Sequence, residues 1–297
     1  MKFNKAARKK CKIKLGIQGP SGSGKTFSSL HLAYGLTKNW DKIAVIDSEN
    51  GSANLYSHLG GYSVLSLEPP YTPEMYTQAI QEAVNEGFEC VIVDSLSHEW
   101  DGTGGVLEIH GNMQGNSFTN WKNVTPRHNQ LIQFMLQADV HLIATMRSKQ
   151  DYVLSEKSGK MVPEKVGLKS VQRDGIDYEF TIVFELNQRH IATVSKDRTS
   201  LFNKRPELTL SPSVGEEIYK WCNEEDNDIL FTIPPAVEAE PVDKFLGEIF
   251  ACKNVTELSR LYHANPAKQE QYRNDFIDQR NTLTNFVKPI LNGHHTV

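Results

Sequence analysis

At 297 residues the chain has room for one large domain and a small one, because domains commonly run to about 100–200 residues. Hydrophobic residues make up 39% and charged residues 23%, no run approaches the ~18 consecutive apolar residues of a spanning helix, and Cys11, Cys90, Cys222 and Cys252 are too scattered for a disulfide framework or a zinc ribbon. A reducing, cytoplasmic setting without membrane contact is therefore expected, and the net charge of −4 hides a basic start with seven Lys or Arg and no acid in the first 14 residues.

Residues 1–11 read as a basic arm, either a solvated tail or a phosphate-binding one. Ile13, Leu15 and Ile17 then form an apolar strand, followed by the run Gly19-Pro20-Ser21-Gly22-Ser23-Gly24-Lys25-Thr26 and a helix over Phe27–Leu36. A second strand is expected over Ile43–Ile46, a helix over Pro73–Asn85 and a third strand over Cys90–Val93. The glycine-rich stretch from Trp100 to Trp121 reads as a mobile loop. A helix over Arg127–Gln137 buries Leu131, Ile132, Met135 and Leu136, and a fourth strand covers Val140–Thr145. Strands alternating with helices predict an α/β fold with a mainly parallel sheet covered on both faces. The rhythm changes at Glu179–Leu186 and His190–Lys196, two strands joined by a short turn, which predict an antiparallel hairpin at the sheet edge.

The core so defined spans 12–222. Residues 223–240 hold six acids, no base and Pro234-Pro235, and read as a linker. From 241 to 297 the apolar spacing is helical, with Asn254 and Glu257 as a capping box and Asn265-Pro266 as a second helix start, so a small helical domain is expected.

The Gly19–Thr26 run satisfies G-x-x-x-x-G-K-[ST], follows a strand and opens a helix, so it predicts a nucleoside triphosphate site. Glycines let backbone N–H groups approach phosphates, the helix start adds partial positive charge, Lys25 reaches the β and γ oxygens, and Thr26 can ligate Mg²⁺. Phe27, next in the chain, joins the cofactor-contacting set. A carboxylate is needed beside the metal, and Asp94 closes the apolar strand Cys90–Val93. Hydrolysis further requires a group that activates water. Glu49, just past the second strand, and Glu99, five residues after Asp94, are the two candidates.

The segments Ile43–Ser52 and Val91–Leu96 are similar to the two acidic strand ends of the RecA-type recombination ATPases. That resemblance favours Glu49 over Glu99 as the catalytic glutamate. Ala192–Arg198 resembles the segment where those proteins carry two basic residues, which implies that Lys196 and Arg198 reach a neighbour's γ-phosphate in a homo-oligomer with shared ATP sites. Thr145–Lys149 and Val171–Phe180 look like later motifs of phage-encoded RecA-like nucleotide-binding proteins that accompany single-strand annealing genes. The resemblance covers roughly residues 12–202. It departs in lacking a long polymerisation helix ahead of the P-loop, and in placing Arg147 near the position of the family's sensor glutamine.

The region after the fourth strand carries Lys157, Lys160, Lys165 and Lys169, with Lys149 before and Arg173 after, and could project as a basic finger with Tyr152 free to stack on bases. In RecA proteins the corresponding region is a DNA-binding loop. The resemblance thus implies an ATP- and Mg²⁺-dependent ATPase acting on single-stranded DNA in phage or mobile-element recombination or replication, with a replication or recombination partner held by the helical tail. A nucleotide-switched loader with little DNA affinity and a small-molecule kinase are the alternatives.

Overall fold

The structure is a computed structural model that describes residues 10–157, 160–205, 207–224 and 244–285, without the side chains of 150–168 and 285. The described residues fall into two compact units divided between Asp226 and Asn227. The basic arm up to residue 9 and most of the acidic 223–240 segment lie outside the described residues.

The larger unit is built on β1 (Lys14–Gly19), β2 (Ile43–Asp47), β3 (Ser63–Ser66), β4 (Cys90–Asp94), β5 (His141–Lys157), β6 (Lys160–Ser170), β7 (Ile182–Leu186), β8 (Ala192–Asp197) and β9 (Glu207–Leu208). Their order is β3-β2-β4-β5-β1-β7-β8-β9, with β6 pairing only β5. From β3 to β7 all neighbours are parallel, and β8 and β9 add antiparallel pairings at one edge. This is the mainly parallel sheet with an antiparallel hairpin that the alternating pattern predicts.

Each central strand buries alternate residues in opposite layers. Ile43 and Val45 join the cluster built on Leu30, Leu32 and Leu36 of α1 (Lys25–Thr37) and on Val214 and Ile218 of α6 (Pro212–Asn223). Ala44 and Ile46 join the opposite one, with Tyr76 and Ile80 of α2 (Pro73–Asn85) and Leu131 and Met135 of α5 (Ser117–Gln137).

Several boundaries move. The Trp100–Trp121 stretch is not a bare loop: α3 (Ser97–Asp101), α4 (Val106–Gly111) and the start of α5 occupy it, and the Trp121 ring stacks on His110 at 4.1 Å and on Trp100 at 5.9 Å. Asn116 caps α5 by accepting the Phe118 N–H at 2.8 Å, ten residues ahead of the expected start. The fourth strand runs on past Thr145, because beyond Arg147 it leaves the sheet and pairs antiparallel with β6, from Ser148–Ser170 to Lys157–Lys160, with one register shift between Asp151 and Tyr152. Ten residues of such a ladder extend about 30 Å. Residues 176–178 form a 3₁₀ turn, so β7 starts at Ile182 instead of residue 179.

Lys14 is not a tail charge. It is 5% exposed in β1, and its Nζ donates to the carbonyls of Ala138, the C-cap of α5, and of Val140 in the turn that follows, both at 2.7 Å. Burial lowers its pKa to about 8. On the adjacent strand, His141 Nδ1 accepts the Ile13 N–H at 3.2 Å, so this nitrogen stays unprotonated in the fold.

The smaller unit contains α7 (Lys244–Ala251), α8 (Val255–Ala264) and α9 (Arg273–Asn285), packed on Phe245, Ile249, Leu258, Tyr272 and Phe276. Asn254 caps α8 as expected, its Oδ1 accepting the Glu257 N–H at 2.9 Å, but Glu257 Oε2 reaches back to the Lys253 N–H at 2.9 Å, one residue ahead of the cap, instead of to that of Asn254. Asn265-Pro266 opens only a 3₁₀ turn over Pro266–Lys268, because the Asn265 amide turns back to the Leu261 carbonyl instead of capping forward. Among the described residues no helix is long and apolar enough to cross a membrane.

Two predictions follow from the larger unit. At Gly35 an added Cβ would lie 2.1 Å from the Pro212 carbonyl and 2.7 Å from Gly215 Cα, so α1 and α6 meet backbone to backbone there. Gly35→Ala is expected to destabilise the unit by about 1–3 kcal/mol, read as a lower urea midpoint at unchanged slope. Burial, then Lys12 and Lys14, hold the His141 pKa near 3 against 6.5 when free. Below pH 6.5 the unfolded chain binds a proton that the folded chain refuses, so stability falls with acid by about 1.4 kcal/mol per unit until about pH 3. His141→Gln, which keeps an acceptor for Ile13, should flatten this slope between pH 6.5 and 4.5. An unchanged slope would assign the acid loss to other groups.

Candidate active site

The Gly19–Thr26 loop joins β1 to α1 at the carboxyl edge of the sheet. Gly22 and Gly24 take φ of 79° and 85°, a left-handed backbone that residues with a Cβ rarely adopt. No side chain caps α1, so the N–H groups of its first turn face the loop. Ser23 Oγ is buried there with no partner among the described residues. Lys25 Nζ folds back on the carbonyls of Gly19 and Pro20, each at 3.0 Å. Burial pulls its pKa down against the opposing pull of Asp94 and Glu49. Among the described residues it has no ion-pair partner, which leaves a half-buried cation at the mouth of an anion site. Phe27 is exposed beside it, its ring 4.1 Å from His31 and 5.6 Å from Tyr56.

Asp94 ends β4 and is 1% exposed. Its Oδ2 accepts the Thr26 hydroxyl at 2.6 Å and its Oδ1 the Thr145 hydroxyl at 2.5 Å. Both contacts depend on sheet order. With β5 between β1 and β4, Gly19 lies level with Arg147 and Ala144 with Val93, so Thr145 stands between the P-loop and the acid. Burial raises the Asp94 pKa, against those two hydroxyl bonds. A buried carboxylate and a threonine hydroxyl, oxygen donors 2.6 Å apart at a phosphate-binding loop, suit Mg²⁺, which takes one or two protein oxygens and completes its shell with phosphate and water.

At the end of β2, Asp47 is used by the backbone: its carboxylate accepts the N–H of Glu49 at 2.7 Å and of Ala53 at 2.8 Å, folding the turn that carries Glu49. Glu49 Oε1 accepts the Ser95 hydroxyl and Arg147 Nε, both at 2.8 Å, while Arg147 Nη2 donates to Oε2. Burial alone would raise the Glu49 pKa, but the Arg147 and Ser95 bonds outweigh it and the net shift is downward. Glu99, the competing acid, is 0% exposed, paired with His128 Nδ1 at 3.0 Å and bonded by Gln172 at 3.1 Å. It has no access to water, and of the two acids only Glu49 stands with Asp94.

Lys196 and Arg198 lie elsewhere. Because β8 runs antiparallel to β7, their end of the strand is level with Ile182 and Leu15, at the edge of the sheet opposite Gly19. There Lys196 Nζ and Arg198 Nη2 both donate to the Tyr178 carbonyl, and Lys196 also to that of Asp177. Neither serves the site of its own chain. Of the basic set, Lys149 is exposed, Lys169 pairs with Asp174 at 2.7 Å, and Arg173 donates to Asn129 at 3.0 Å. Tyr152, Lys157, Lys160 and Lys165 have side chains outside the described set.

Two participants escape sequence reasoning. The Arg147 clamp on Glu49 joins residues 98 positions apart, and no local pattern encodes it. The turn between β7 and β8 reaches the P-loop, with His190 Nδ1 3.0 Å from the Ser23 carbonyl and 2.9 Å from where a Cβ on Gly24 would stand. Its signal is Asn187, whose side chain accepts the N–H of Arg189 and Ile191 at 2.8 and 3.2 Å, a tight turn recognisable from sequence though not its destination.

No curated protein matches the sequence. Among solved structures it is similar to a KaiC-like protein of the hyperthermophilic archaeon Pyrococcus horikoshii OT3, at 14% identity and a TM-score of 0.36, over 63% of this chain and 79% of that one. The family model described as an AAA domain matches residues 11–211, a span that contains the P-loop, Asp94 and Glu49. With that match and the strand-loop-helix phosphate site, the chain belongs to the AAA-domain family of P-loop ATPases.

Proposed function

We propose that this ATPase hydrolyses ATP with Mg²⁺ and works on single-stranded DNA in recombination or replication, as a homo-oligomer whose subunits complete one another's sites. The observation that carries the reading is the bidentate hold of Arg147 on Glu49 at the root of the β5–β6 ladder. One residue beyond Arg147 the chain leaves the sheet for the lysine-bearing arm, so a load on that arm is transmitted to the side chain that restrains the acid. The phage or mobile-element setting rests on the resemblance of the Thr145–Lys149 and Val171–Phe180 segments.

In this mechanism the P-loop N–H groups and Lys25 bind the β- and γ-phosphates. Thr26 and Asp94 would hold Mg²⁺, which would supply charge neutralisation to the phosphates. Glu49 accepts a proton from the attacking water once Arg147 lets go, since a carboxylate with both oxygens engaged by a guanidinium is a poor base. Lys196 and Arg198, remote from their own P-loop, stabilise transition-state charge on the neighbouring subunit. An arm that bears lysines, with Tyr152 for stacking, suits single strands of any sequence. Lys169 and Arg173, already engaged by Asp174 and Asn129, favour instead the reading in which the protein is a loader with little DNA affinity.

Steady-state ATP hydrolysis with and without single-stranded DNA, over a range of protein concentration, tests these assignments. Lys25→Ala is expected to abolish nucleotide binding, and Glu49→Gln to lower turnover by about 10²–10⁴-fold with binding retained. Lys196→Ala should remove the rise in rate per subunit with concentration. Arg147→Ala should raise DNA-independent turnover several-fold and erase DNA stimulation. Turnover indifferent to DNA and to concentration would transfer the assignment to the loader, and full activity in Glu49→Gln would remove Glu49 as the base.

A further inference from the structure

The helical unit carries a groove of about 400 Å³ between α8 and α9 that its own core does not fill. Its floor is Leu258 and Phe276, both buried, while Val255 and Ile277 stand on its walls with 38% and 47% of their surface exposed. On α8 the lining positions 255, 258, 259, 262 and 263, and on α9 the positions 273, 276, 277 and 280, each form one continuous helical stripe. The two sides differ in charge. Arg273 and Arg280 bracket Ile277 on α9, His263 stands across on α8, and among the described residues no acid lines the groove. Among the described residues neither arginine is in an ion pair. The acids of these helices lie off the stripes, and Glu257 is spent on the cap of α8.

The geometry points to a docking groove for an acidic peptide that carries bulky apolar side chains. An apolar floor bounded by two guanidinium groups complements a segment in which carboxylates flank Leu, Ile or Phe, because the apolar side chains gain burial while each arginine offers a planar two-donor fork. The seven-residue spacing of Arg273 and Arg280 corresponds to about 10.5 Å along α9. That separation matches carboxylates two turns apart on a helical peptide. Nucleic acid fits less well. Apart from the exposed His263 imidazole, the described lining offers no ring free to stack on a base, Tyr262 being packed on Phe276 at 5.0 Å, and two arginines cannot track a phosphate chain.

The test is a selection from a random twelve-residue peptide display library on the immobilised full chain, counter-selected with the Arg273→Glu/Arg280→Glu chain. Enriched sequences should hold Asp or Glu on both sides of Leu, Ile, Phe or Trp. The best peptide, measured by fluorescence anisotropy, should bind the double variant at least 10-fold more weakly and lose affinity as salt rises. Ile277→Ser should weaken it several-fold without added salt dependence. Thermal melts and ATP turnover of both variants should match the parent chain, which separates a lost groove from a lost fold. No enrichment over the counter-selected pool, a basic or uncharged consensus, or displacement of the peptide by a single-stranded oligonucleotide through the same arginines would overturn the proposal.

Discussion

Asp94 is 1% exposed, and both of its oxygens accept hydroxyl protons, from Thr26 on α1 and from Thr145 on β5. A buried carboxylate with only neutral donors is costly, and burial accordingly raises its pKa. The surroundings follow from that cost. The half-buried Lys25 ammonium is held nearby by loop carbonyls, and a divalent cation at the Thr26–Asp94 pair would offset the same charge. The arrangement needs β5 wedged between β1 and β4, since only that order puts Thr145 on the far side of the acid from α1.

A second acid, Glu49, is held differently. It is partly exposed and takes three hydrogen bonds, two of them from one arginine, which keeps it ionised and also occupied. Glu99, of the same residue type and close in sequence to Asp94, is sealed among His128 and Gln172. Burial separates the roles of these two glutamates: one can exchange protons with water and the other ties α3 to α5 and to the chain leaving β6.

The strands that bear the site are also those with the least freedom. β1, β4 and β5 are covered on both faces, Gly19 packs against the Leu186 carbonyl, and Gly35 lets α1 touch α6. Rigid strands ending at one edge hold Gly19 level with Arg147 and Val93 level with Ala144, which places Asp94 beside Thr145, while the P-loop and the β5–β6 ladder continue beyond them.

The sequence by itself determined the P-loop, the acid closing β4, the α/β class and the separate helical tail, because each is written within a dozen neighbouring residues as a motif or a hydrophobic period. It placed α5 ten residues late, where Asn116 rather than an apolar stripe starts the helix, and it left Trp100–Trp121 as a loop because stacked rings stabilise short helices that no period announces. Tertiary structure alone decided which glutamate faces water, that Arg147 grips it, that the β7–β8 turn rests on the P-loop, and that Lys196 and Arg198 stand at the opposite edge from it. Those are properties of strand order and register, which bring together residues a hundred positions apart, and local pattern carries no information about either.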